Sequence, residues 1–107
     1  MTTMTEAKTV AILGGTGNLG RGMAVRLAKA GHRVVIGSRD ADRAAASATE
    51  VAQLTGSEAV TGADNGDAAD GADVVLVAVP FANQAKTLGS VKDRLREGQI
   101  EIGRAHV

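Results

Sequence analysis

Apolar residues along the chain switch between two spacings, and the switches predict its elements. Lys8 to Leu13, KTVAIL, is a short apolar run of strand length. From Asn18 to Ala30 the apolar residues Leu19, Met23, Leu27 and Ala30 fall at helical spacing, and Gly31 stands where a helix C-terminus favours glycine. HRVVIG is a second strand. Asp40 is a suitable N-cap for the next helix, ADRAAASATEVAQLT, which places Ala44, Ala48, Val51 and Leu54 on one face and ends at Gly56. SEAVTG reads as a weak third strand, and NGDAADGA has room for a short helix. Asp73 to Pro80, DVVLVAVP, carries six apolar residues without alternation, as a strand buried on both faces of a parallel sheet does. A helix over about 81–97, weakened by Gly89, and a fifth strand beginning at QIEI complete the pattern. Strands alternating with helices predict a doubly wound α/β sheet with right-handed crossovers.

The turn after the first strand changes this from a fold class to a candidate chemistry. LGGTGNLGRG contains Gly15-x-Gly17-x-x-Gly20, with a strand ending before it and a helix opening inside it. In that context Gly15 allows the tight turn, Gly17 lets a pyrophosphate approach the backbone, and Gly20 lets the helix pack close to the strand. The helix N-terminus then offers free N–H groups and partial positive charge to the phosphates, with Thr16 and Asn18 able to add side-chain hydrogen bonds. A turn that only connects strand to helix is the bland alternative, and the strand-turn-helix context weighs against it. A Walker-type loop is excluded because no Gly-Lys-Ser/Thr follows the glycines.

Composition narrows the possible partners. The chain has 107 residues, enough for one domain with a modest core. Its single aromatic is Phe81, so Ala, Val and Gly must build that core. Lys+Arg and Asp+Glu balance at 12 each, which argues against nucleic-acid and membrane-surface partners. With no cysteine there is no disulfide framework and no thiolate metal site, in keeping with a cytoplasmic location. No apolar run reaches the length of a membrane span, MTTMTEAK carries no secretory segment, and Met4 is an alternative start to Met1.

The end of the second strand points to one dinucleotide over another. In NAD-binding folds an acid there accepts the adenosine ribose 2′-hydroxyl and would repel a 2′-phosphate. The corresponding place, 20 residues past Gly17, is Gly37, followed by Ser38 and Arg39. Ser38 can donate a hydrogen bond, Arg39 a charge-assisted one, and Arg43, one turn into the next helix, can reach the same group. Isolated arginines would read as solvated surface charge. At this distance from the glycine turn they favour a 2′-phosphate, hence NADP. Asp40 is expected close to that phosphate as well as at the helix N-cap.

VAILGGTGNLGRGMAVRLAKAGHRVVIGSRD and VTGADNGDAADGADVVLVAVPF, with the helix between them, resemble the N-terminal cofactor domain of F420-dependent NADP reductases. That resemblance covers about Lys8 to Ile100 and implies a Rossmann-type sheet. It also implies hydride transfer between coenzyme F420 and NADP. It implies that Thr16, Gly17, Asn18 and Leu19 contact the cofactor phosphates, that Ser38, Arg39 and Arg43 hold the 2′-phosphate, and that Pro80 and Phe81 line the cofactor cleft. The family often has tryptophan at the place of Phe81 and histidine at that of Asn83; Phe81 reads equally as a core anchor for the next helix. No residue is a candidate catalytic acid, base, nucleophile or metal ligand. Hydride transfer needs mainly orientation and water exclusion from the protein. His32 is expected exposed in the turn before the second strand, and His106 lies near the chain end.

The family continues for roughly another domain beyond the fifth strand. Residues 1–100 are therefore expected to be the N-terminal, NADP-binding part of a longer enzyme, truncated after about the fifth strand and inactive alone. EIGRAHV is unrelated to the family's continuation and matches a translated frame of a common sequencing adapter, so 101–107 are expected to be a non-native tail. A homodimer, if formed, would use largely segments outside this chain. Two other readings stay open: a reductase acting on another substrate, and a non-catalytic dinucleotide-binding module.

Overall fold

The computed structural model describes residues 8–14 and 17–78, together with Gly89 and the backbone of residues 100–101. Its elements are β1 (Thr9–Leu13), α1 (Asn18–Lys29), β2 (Arg33–Ser38), α2 (Ala41–Thr55), β3 (Val60–Asp64), α3 (Asn65–Ala69), β4 (Val74–Val77) and β5 (Ile100–Glu101). The strands form one parallel sheet in the order β3-β2-β1-β4-β5. This is the doubly wound Rossmann-type topology that alternating strands and helices predict. The helix expected over 81–97 lies outside the described residues.

β1 sits at the centre because both of its faces are apolar. Val10 and Ile12 point to one side, where they meet Ala24 and Ala28 of α1 and Ala44, Ala48 and Val51 of α2. Ala11 and Leu13 point to the other, where they meet Ala68 and Ala69 of α3 with Val75 and Val77 of β4. Strand side chains alternate between faces, so a run with no polar member can survive only between two covering layers. Residues such as Ile12 and Ile36, fully buried, each contribute about 1.5–3 kcal/mol.

The helical stripes differ from the spacing-based expectation. In α1 the buried positions are Gly20, Ala24 and Ala28, with Met23 and Leu27 packed at the margin, while Leu19 is 38% exposed. A helix leaving a short glycine turn lies close to its strand, so the smallest side chains take the contact line. In α2, Ala44, Ala48 and Val51 are buried as expected, but Leu54 is 61% exposed. Leu54 lies to one side of the buried line Ala44, Ala48 and Val51, which Ala52 and Thr55 continue. β3 begins three residues later than SEAVTG suggests, at Val60. Ser57 instead closes the preceding turn, its Oγ accepting the Ala59 N–H at 3.1 Å.

Both long helices end as their sequences indicate. Asp40 caps α2, its carboxylate accepting the N–H groups of Asp42 and Arg43, and Gly56 closes it in left-handed backbone. Gly31 follows α1 with a φ of 93°. His32 is half-buried rather than exposed, because its Nδ1 accepts the Lys8 N–H at 3.2 Å. Among the described residues no helix is long and apolar enough to cross a membrane.

Candidate functional site

Parallel strands deliver their carboxyl ends to one edge of the sheet. From β1 the chain winds outward through β2 and β3; β4 then starts afresh on the other side of β1. Ligands of open α/β sheets bind in the crevice at this reversal, outside the ends of the two strands that flank it. Here those strands are β1 and β4, joined past their paired residues by a hydrogen bond of 2.9 Å from the Ala78 N–H to the Leu13 carbonyl.

The turn leaving β1 begins at Gly14, whose φ of 71° is left-handed, a conformation that costs residues with a Cβ. Gly15 and Thr16 lie outside the described residues. The chain returns in extended backbone at Gly17, the N-cap of α1. Among the described residues no side chain caps this helix, and no acid occupies its first turn. Its leading N–H groups and positive dipole end are therefore available to an anion. A Cβ on Gly17 would have no neighbour within 4 Å, so the space beside the N-terminus is open. Asn18 and Leu19 are exposed on the first turn and Gly20 is buried beneath it.

The end of β2 requires a correction. Gly37 is not a place where an acid would stand. A Cβ there would lie 2.8 Å from Asn65 Oδ1, 3.1 Å from Ala68 Cβ and 3.2 Å from Leu13 Cδ2, on the face covered by α3. Counting residues from the glycine turn missed this because strand alternation, not distance along the chain, decides which face a side chain takes. Ser38 points to the opposite face and is nearly buried, at 7% exposure. Its Oγ accepts the Asp40 N–H at 3.2 Å, which leaves the hydroxyl proton free to donate. Arg39 and Arg43 are exposed.

α1 and α2 frame a cleft of about 590 Å³ lined by Gly17, Arg21, Arg43, Ala46, Ser47 and Glu50. It brings the start of α1 and Arg43 to one hollow, which Ser38 and Arg39 do not line. Arg21 Nε stands 3.2 Å from Glu50 Oε1 across it, an ion pair without the alignment of a hydrogen bond. Pro80 and Phe81 lie outside the described residues. Among those described, no group of His, Cys, Asp and Glu could hold a metal ion.

One residue of the site carries no signal in the motifs. Asn65, at the start of α3, is buried at 8% exposure, and its Oδ1 accepts the Gly14 N–H at 3.3 Å. In sequence it looks like one more polar residue of a turn. The available clue is Gly37, since a glycine inside a strand often marks a close approach by another group.

Residues 9–103 match the family model described as NADP oxidoreductase, coenzyme F420-dependent. The F420-dependent NADP reductase of Methanothermobacter thermautotrophicus is 47% identical over 90 residues, which are 82% of this chain and 39% of that protein. The reductase of the same name from Methanocaldococcus jannaschii is 42% identical over 97 residues, 87% of this chain and 43% of that protein. Among solved structures, a protein assigned as an F420-dependent NADP reductase from an Arthrobacter species superposes with a TM-score of 0.68 at 31% identity. That superposition covers 91% of this chain and 45% of the other. The chain thus spans about two-fifths of the length of the curated relatives it matches.

Proposed function

The chain belongs to the family of coenzyme F420-dependent NADP oxidoreductases, and on that premise we propose that it is the NADP-binding part of such an enzyme. The whole enzyme would pass hydride between coenzyme F420 and NADP. The observation that carries the reading is the cleft shared by the uncapped start of α1 and Arg43. An anion-binding helix end and a cation stand together beside the edge to which β1 and β2 deliver their carboxyl ends.

The residues fit the dinucleotide in a consistent order. The pyrophosphate lies on the N–H groups of Asn18, Leu19 and Gly20, with Gly15, Thr16 and Gly17 forming the turn beneath it. The Ser38 hydroxyl donates to the 2′-phosphate, and Arg39 and Arg43 supply the opposing charge. By the family resemblance, Pro80 and Phe81 would line the cofactor cleft. When bound, the nicotinamide ring supplies the hydride chemistry; this chain's residues bind, orient and shield. We place the enzyme in the cytoplasm, acting on small-molecule cofactors without nucleic acid or membrane, with any homodimer built largely by segments outside this chain. The cofactor-binding unit runs to β5, where Glu101, expected in the tail, pairs with Leu76 instead.

Thermal melting of the purified chain, alone and with millimolar NADP or NAD, tests the reading. A ligand that binds only the folded state raises the midpoint. NADP is expected to raise it and NAD to do so much less. A cooperative melt unmoved by either dinucleotide would overturn the proposal.

A further inference from the structure

One contact of Asn65 and the space it fills belong to different halves of the proposed site. Its Oδ1 receives the Gly14 N–H at 3.3 Å, at the left-handed residue where the glycine turn leaves β1. The same oxygen lies 2.8 Å from where a Cβ on Gly37 would stand, near the end of β2. Leu13 and Gly37 are direct partners in the β1–β2 register, and Ser38 pairs with Asp64, the residue before Asn65. The side chain therefore sits over the seam between the two strand ends, on the α3 face, nearly buried.

We propose that Asn65 is a positioning residue of the dinucleotide site, holding the glycine turn through Gly14 and fixing its distance from the end of β2 through Gly37. This rests on the NADP-binding reading above. The physical argument has two parts. A turn that leads into the phosphate-binding residues must be fixed before ligand arrives, or binding loses affinity to the cost of ordering it. Gly14 cannot obtain this from its own strand, because its N–H lies past the last β1–β4 pair and is met by a side chain instead. Gly37 is the second part. It is glycine because Asn65 occupies the volume a side chain would need, and the two positions therefore act as a matched pair.

The mode of action separates this role from that of the arginines. Ser38 and Arg39 touch only the feature that distinguishes NADP from NAD. Asn65 acts on the pyrophosphate turn, which both dinucleotides use. Asn65→Ala is thus expected to raise the dissociation constants for NADP and NAD by the same factor, about tenfold, the loss of one hydrogen bond at a buried site. Gly37→Ala, which leaves Asn65 in place but pushes its Oδ1 off Gly14, is expected to do the same. The double variant should lose little beyond the larger single loss, since residues sharing one interaction are not additive.

Calorimetric titration of the purified chain with each dinucleotide, paired with amide proton spectra, makes the test. In Asn65→Ala the Gly14 amide proton should move upfield while those of Ala11 and Ile12, bonded within the sheet, stay. Gly37→Ala serves if Asn65→Ala fails to fold. Loss confined to NADP would overturn the proposal, because it would mean that Asn65 acts at the 2′-phosphate. Unchanged affinities for both dinucleotides would overturn it while leaving the NADP reading intact. Absence of binding by the unaltered chain would overturn both.

Discussion

Asp40 Oδ1 accepts the backbone N–H of Arg43 at 3.3 Å, so the carboxylate that caps α2 shares a turn with the guanidinium proposed to hold the 2′-phosphate. It accepts the Asp42 N–H as well, at 2.9 Å. The N-terminus of α2 is thereby closed to a ligand, in contrast to that of α1, and its negative charge opposes the phosphate that Arg43 attracts. Asparagine caps helices as well as aspartate does but carries no charge. Asp40→Asn should therefore keep the melting midpoint and tighten NADP about threefold, with the gain shrinking as salt is raised. Asp40→Ala should instead cost about 1 kcal/mol of stability. Titration at two ionic strengths distinguishes these outcomes; an Asp40→Asn variant with weaker NADP binding would place the carboxylate on the ligand's side.

Arg39 is exposed, one residue past the buried Ser38, and packs against no core. Its contribution should be to the ligand alone. Arg39→Ala is expected to weaken NADP binding by about 1.5–3 kcal/mol, as for a hydrogen bond to a charged group, with NAD binding and the melting midpoint nearly unchanged. Equal loss for both dinucleotides in calorimetry would refute the 2′-phosphate role.

Gly62 lies where α2 packs closest to the sheet. A Cβ on it would run into the Ala44 backbone. Backbone cannot move aside as a side-chain tip can, so Gly62→Ala should destabilise the domain by roughly 1–3 kcal/mol, as overpacking does. The urea midpoint should fall with the slope unchanged. A rise in the midpoint would show instead that relief of glycine's chain entropy outweighs the clash.

The parts of the fold legible in the sequence are those set by local pattern. β1, apolar from Val10 to Leu13, and β4 announce double burial by their unbroken apolar runs, and Asp40, Gly31 and Gly56 mark helix ends by chemistry that acts within a turn. What was not legible depends on neighbours far along the chain. Leu19 and Leu54 have helical spacing yet lie exposed, because spacing defines a stripe but not how far the sheet extends beneath it. Gly37 falls at a plausible count from Gly17 yet faces α3. Asn65 contacts Gly14 only once β3 has been laid beside β2, so no window of sequence contains both partners. The glycine turn itself was legible because strand, turn and helix are contiguous, whereas Asn65, which holds the Gly14 N–H, comes from a distant part of the chain.

The central place of β1 also orders events as the polypeptide leaves the ribosome. Its first partner, β2, joins it through Thr9 and Arg33, and β3 follows at Val60. The other flank of β1 stays bare until Val74 arrives to pair with Val10. During that interval an apolar strand in a slow-forming parallel sheet has one edge unpaired, the condition under which nascent chains associate wrongly. The crevice between β1 and β4 comes into being only at the end of the interval. A ligand held in that crevice therefore cannot template the early half of the domain.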